Sequence, residues 1–138
     1  MGSSTSTAIG CTLRRFKIIE SDQLGISAYS RQITIEDGWI ENIDEDALTI
    51  GASASNGYRA GYTDNISNIS IINPGRDTVA ALGDAFQVFA SSARYEAKTF
   101  IENIYVNKTS AVKQAFVFTD MLGGLYFRNF HIKSVRVS

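Results

Sequence analysis

Cysteine, proline, tryptophan and histidine are all scarce: the 138 residues hold one Cys, one Pro, one Trp and one His. A lone Cys11 cannot close an internal disulfide, which excludes a disulfide scaffold and leaves the cysteine count silent on compartment. One proline and eleven glycines leave little for a disordered linker. No run approaches 18 apolar residues, so a membrane-spanning helix is excluded and no membrane partner is expected. Strong charge of either sign is also missing. With 13 basic and 14 acidic residues dispersed along the chain, there is no basic surface for phosphate, and nucleic acid is excluded as the main partner. There is no phosphate loop, zinc spacing or Ser-His-Asp order. Residues 1–10 lack the charged and apolar regions of a signal peptide and read as a flexible lead-in to one domain over 11–138.

What the chain does hold is repetition. Asn68, Asn103 and Asn129 each precede an alternating apolar pair, Ile69/Ile71, Ile104/Val106 and Phe130/Ile132. Phe16/Ile18 and Ile33/Ile35 continue the series backwards, with gaps of 17, 36, 35 and 26 residues (16 to 33, to 69, to 104, to 130). Helix-pair arrays keep a nearly fixed period, whereas stacked strands absorb length differences in their turns. A second set, Leu24/Ile26, Leu48/Ile50, Phe86/Val88 and Phe116/Phe118, lies between the copies of the first. Each pair points two large residues to one side of a strand. Just before them Asp46-Ala47, Asp84-Ala85 and Gln114-Ala115 hold equivalent places, with Asp22-Gln23 as a looser copy.

Two interleaved strand families predict an all-β solenoid: a right-handed, single-stranded parallel β-helix of about four to five rungs, with equal positions stacked about 4.8 Å apart. The predicted inward columns are Phe16, Ile33, Ile69, Ile104, Phe130 and Leu24, Leu48, Phe86, Phe116. Arg15, Gln32, Asn68, Asn103 and Asn129 form an expected ladder of side chains bonded to one another and to turn backbone. Unpaired strand edges are normally covered, so the chain is expected to be a segment of a longer coil or to have its ends covered.

The stretches 68–75 (NISIINPG), 83–88 (GDAFQV) and 41–50 (ENIDEDALTI) resemble the rung pattern of the right-handed parallel β-helix, pectin-lyase-like superfamily, from Cys11 onwards. That superfamily includes polysaccharide lyases, pectin-type glycosidases, epimerases, fructan-cleaving transferases and phage tailspikes. The resemblance implies a polysaccharide or oligosaccharide partner and an extracellular or virion-associated setting. It also implies homo-oligomers, with trimers favoured. It does not fix a reaction.

Asp44, Glu45 and Asp46 stand before one second-family strand and Asp84 occupies the equivalent place before the next. Stacked carboxylates about 5 Å apart cannot both ionise freely, so one is expected to hold a proton and split acid from base. Asp44 and Asp46 lie about 6.6 Å apart along an extended strand, and the two distances bracket the retaining and inverting geometries of glycoside cleavage. The competing reading places these acids in turns, capping backbone N–H groups. A calcium site is a weaker expectation, because the cluster lacks a regular ligand spacing; otherwise no cofactor or resident metal is expected.

Long turns build binding surfaces in such coils. Tyr58, Arg59 and Tyr62 in 51–65, and Arg94 with Tyr95 in 90–96, pair flat apolar rings with hydrogen-bond donors suited to sugars. Trp39, after Asp37-Gly38, either packs on the coil or stacks on sugar. His131 points outward, and Asn65, Asn68 and Asn107 open triplets of the glycosylation type. Two functions follow: the favoured one is a glycosidase or glycosyl- or fructosyl-transfer enzyme using the acids, and the alternative is a glycan-binding structural module of a tailspike or adhesin. Lyase chemistry is a further alternative, lacking a basic cluster beside the acids.

Overall fold

The computed structural model describes residues 9–29, 31–53, 62–76, 83–91, 97–108, 114–119 and 123–134. They form nine strands: β1 (Ile9–Ser21), β2 (Ile26–Ala28), β3 (Arg31–Ile43), β4 (Leu48–Ser53), β5 (Thr63–Pro74), β6 (Phe86–Ser91), β7 (Lys98–Lys108), β8 (Phe116–Phe118) and β9 (Leu125–Ser134). No helix occurs among the described residues. Odd strands make one sheet in the order β1-β3-β5-β7-β9, even strands a second in the order β2-β4-β6-β8. Every pairing is parallel. The chain therefore visits the two sheets alternately and advances by one strand in each per circuit. Its core lies on the inward faces, from Ile33, Ile40, Ile69, Ile71 and Ile104 on one side to Leu48, Ile50, Phe86 and Val88 on the other.

The long strands owe their shape to residues with positive φ. Arg15 (50°), Asp37 (56°), Asn68 (56°), Asn103 (56°) and Asn129 (52°) occupy one transverse column, lying between the registered pairs on either side. In a regular strand, inward residues fall every second position. Along β5 the buried positions are Asp64, Ile66, Ile69, Ile71 and Pro74, so the count slips by one at Asn68 and again at Asn73. Each left-handed residue is thus an insertion that bends the strand while keeping both arms facing the core. A second column, Glu20 (63°), Asn42 (57°) and Asn73 (51°), repeats the device.

The asparagine ladder forms as expected over its last three members. Asn129 Nδ2 donates to Asn103 Oδ1 at 3.2 Å, Asn103 Nδ2 to Asn68 Oδ1 at 2.9 Å, and Asn68 Nδ2 to Asp37 Oδ1 at 2.8 Å. Asn and Asp tolerate the left-handed region better than other side chains, so one residue type supplies both the bend and the bond. Asn73 Nδ2 donates to Asn42 Oδ1 at 2.9 Å in the second column.

Three column assignments are corrected. The ladder position on β3 belongs to Asp37, not Gln32. Phe16 pairs with Gly38 rather than Ile33, which pairs with Cys11. A Cβ on Gly38 would lie 2.1 Å from the Phe16 ring, so this glycine leaves the space that the ring fills. In the second sheet Ile26 pairs with Leu48, which places Leu24 one step outside the apolar column.

Replacing Asn68 separates the two contributions. Asn68→Ala should lower unfolding free energy by about 2 kcal/mol, from backbone strain and lost hydrogen bonds. Asn68→Gly, which accepts the φ but not the bonds, should recover about half. Equal denaturation midpoints for wild type and the alanine variant would remove the bend from its place in the fold.

Candidate functional site

The turn acids occupy the places the repeat predicts, and the carboxylate oxygens of Asp44, Asp46 and Asp84 meet the next pass of the chain. Asp46 is 3% exposed. Its Oδ1 accepts the N–H groups of Gly83 at 3.0 Å and Asp84 at 2.9 Å, and Oδ2 accepts the Thr49 hydroxyl at 3.4 Å. Asp84 repeats the act one circuit later, its Oδ1 accepting the Gln114 N–H at 3.1 Å. The backbone stacks in parallel, with Ala47 N donating to Asp84 O and Ala85 N to Gln114 O, each at 3.1 Å. Asp44 accepts from Arg76 Nε at 2.8 Å. Glu45 engages the turn through its backbone, its N–H donating to Gln23 O and its carbonyl accepting from Gly75 N. The Asp46 and Asp84 carboxylates close turns: they satisfy N–H groups that the strand ladders leave over. Among the described residues no group of three His, Cys, Asp or Glu side chains gathers to hold a metal ion.

An open groove lies elsewhere, on the outward face of the first arm of the large sheet. Two outward columns line it. One runs Thr12, Thr34, Asn65, Phe100, Tyr126, and the other Arg14, Glu36, Ser67, Glu102, Arg128. Phe100 and Tyr126 are 40% and 54% exposed, with ring centroids 4.6 Å apart and planes 8° from parallel. Arg128 Nε donates to Glu102 Oε2 at 2.7 Å, and Arg14 Nε meets Glu36 Oε1 at 2.6 Å. One section of about 470 Å³ is bounded by Asn65, Phe100, Glu102, Tyr126 and Arg128. A second of about 350 Å³ runs on past Ser67 to Thr34, Glu36 and Arg14. The sections share Asn65, Phe100 and Glu102. Together they make a trough across the strands, with two aromatic rings on one wall and two ion pairs flanking Ser67 on the other.

The remaining sequence candidates are scattered. Trp39 lies within β3, two residues past the bend, not in a turn. Its Nε1 donates to Glu41 Oε2 at 2.9 Å and Lys17 Nζ sits 5.6 Å from its ring. Tyr62 is half-buried against the core. His131 faces outward and stacks on Tyr105, centroids 5.5 Å apart. Asn65, Asn68 and Asn107 all stand within strands. Tyr58, Arg59, Arg94 and Tyr95 lie outside the described residues.

Sequence reasoning missed two buried polar groups. Asp64, fully buried, accepts the Ile33 N–H through Oδ1 at 2.7 Å. Lys108, 3% exposed, donates from Nζ to the carbonyls of Gly83 and Gln114, both at 3.3 Å. Both sit at inward positions near strand ends, where periodicity predicts an apolar residue, and no local pattern marks them. The groove was missed because Glu36, Ser67 and Glu102 come together only when three strands are in register.

Asp46→Ala should lower unfolding free energy by about 2 kcal/mol, since two backbone donors lose their acceptor. Asp46→Asn, which keeps an oxygen in place, should cost less. Thermal melts of both variants check this; an alanine variant as stable as wild type would remove the capping role. Comparison with protein-family models, curated proteins and solved structures finds no match for this chain.

Proposed function

We propose that the chain is a parallel β-helix of the right-handed, pectin-lyase-like kind and that it binds glycan along the groove without cleaving it. The coil reading rests on strictly alternating visits to two parallel sheets. Connections between parallel strands of one sheet are right-handed in nearly all proteins, which gives the hand. The functional reading rests on one observation: the parallel Phe100–Tyr126 pair set beside Asn65 and the Glu102–Arg128 ion pair. Flat rings offer apolar faces to sugar C–H groups, and amide, carboxylate and guanidinium groups at the edge exchange hydrogen bonds with hydroxyls.

Rigid strands hold these groups at the repeat distance of the sheet, about 4.8 Å per strand. Four such steps, from β1 to β9, give a trough about 19 Å long, room for several sugar units of an extended chain. Such a surface suits a structural module of a tailspike or adhesin. Cleavage by the turn acids is the weaker reading. Asp46 already accepts hydrogen bonds at both oxygens inside the coil, and Asp84 accepts one from the following turn. A general acid must instead reach a leaving oxygen from a site open to substrate.

Binding to a panel of fructans, glucans, mannans, pectins and capsular glycans, with a reducing-end assay on the same samples, tests the proposal. Retention of at least one glycan is expected, falling about tenfold or more in Phe100→Ala and Tyr126→Ala, a loss of about 1.4 kcal/mol or more. No new reducing ends should appear. Turnover that disappears in Asp46→Asn or Asp84→Asn while the fold persists would replace binding with catalysis.

A further inference from the structure

The column Arg14, Glu36, Ser67, Glu102, Arg128 has a charge order of plus, minus, neutral, minus, plus across five strands. Each guanidinium meets its carboxylate from the strand at the outer end of the column. Both carboxylates consequently flank Ser67, the small residue between them. Glu36 and Glu102 stand two strand spacings apart, about 9.6 Å at the backbone. Beside this notch, in the next outward column, are Asn65 and Phe100. The opening suits one monosaccharide with a ring face towards Phe100 and hydroxyls towards both carboxylates.

Resting on the glycan-binding reading above, we infer that the central subsite over Ser67 selects a neutral sugar unit and rejects a uronate. A carboxylate bound over Ser67 would be one strand from each of two glutamates and two strands from each arginine. The nearer like charges dominate, because Coulomb energy falls with distance and water screens the farther pair more. Hydroxyl groups meet no such penalty. They donate to carboxylates already fixed by their ion pairs, and hydrogen bonds to an ionised acceptor are stronger than neutral ones. Discrimination of this kind comes from a repulsive element as well as an attractive one.

The test compares neutral oligosaccharides with oligouronates of the same length and linkage by calorimetry, on wild type, Glu36→Gln/Glu102→Gln, Ser67→Tyr and Phe100→Ala. Wild type should prefer the neutral ligand at least tenfold, and the preference should shrink when salt is raised. The double glutamine variant should bring the ratio close to one. Ser67→Tyr, which fills the notch, should abolish binding with an unchanged melting curve. Oligouronates bound as well as or better than neutral sugars, with binding still lost in Phe100→Ala, would overturn the sugar class and leave the glycan groove standing. Absence of any sugar binding would overturn both. Unchanged selectivity in the double variant would remove the glutamates from the choice.

Discussion

Each long strand must turn a corner without turning its apolar face away from the core, and the left-handed residues at its bends meet that constraint. A strand kept in plain alternation through the corner would bury the wrong set of side chains, since a slip of one residue exchanges the two faces. Placing one residue at positive φ adds the missing step. Asn68 lets Ile66 and Ile69 both face inward, and Asn103 does the same for Ile101 and Ile104. Because these residues stack, their amides join across strands and tie the corner of one circuit to the next. Register in the whole sheet follows from the alignment of that column.

The outward columns inherit the same alignment. Ser67 and Glu102 precede Asn68 and Asn103 by one residue, and Asn65 and Phe100 precede them by three. A one-residue slip at the corner would separate Glu102 from Arg128 and Phe100 from Tyr126 together. The geometry of the groove is therefore a consequence of the bend, although no ladder residue lines it. The aromatic content shifts along the stack as well, from isoleucines on β3 and β5 to the partly buried Phe116, Phe118 and Phe127 at the β8 and β9 end, where Phe130 of the inward column is 53% exposed.

Particular residues explain what the sequence could disclose. Three asparagines before three apolar pairs made the later long strands and their ladder legible. Arg15 was placed correctly, but the β3 member was misplaced because Asp37 shares the backbone conformation of the asparagines without sharing their side chain. Ile33 competed for the Phe16 column because an apolar pair occurs on both arms of a bent strand. Gly38, the true occupant, has no side chain to register in a hydrophobic pattern. The Asp46 and Asp84 equivalence was also legible, since repeats align like with like. What the two acids touch was not, because their partners are backbone N–H groups brought close by the return of the chain.

Polar groups at the seams between the sheets, buried at Asp46, Asp64 and Lys108 and half-buried at Asp84, carry a common burden. Asp46, Asp64, Asp84 and Lys108 each meet backbone donors or acceptors in a neighbouring circuit. Strand ladders satisfy the backbone within each sheet, but the chain leaves one sheet and enters the other through turns that have no ladder. An unpaired N–H or carbonyl there would be costly, and a charged side chain of the adjacent circuit is the group within reach. Chemistry in the seams is thus committed to holding one circuit on the next. The outward arms face no such demand, since water satisfies what their side chains do not, and they can carry rings, carboxylates and guanidinium groups in arrangements that the fold itself does not require. This division of labour is the physical ground for the proposal that recognition lies on the outer groove while the turns hold the fold.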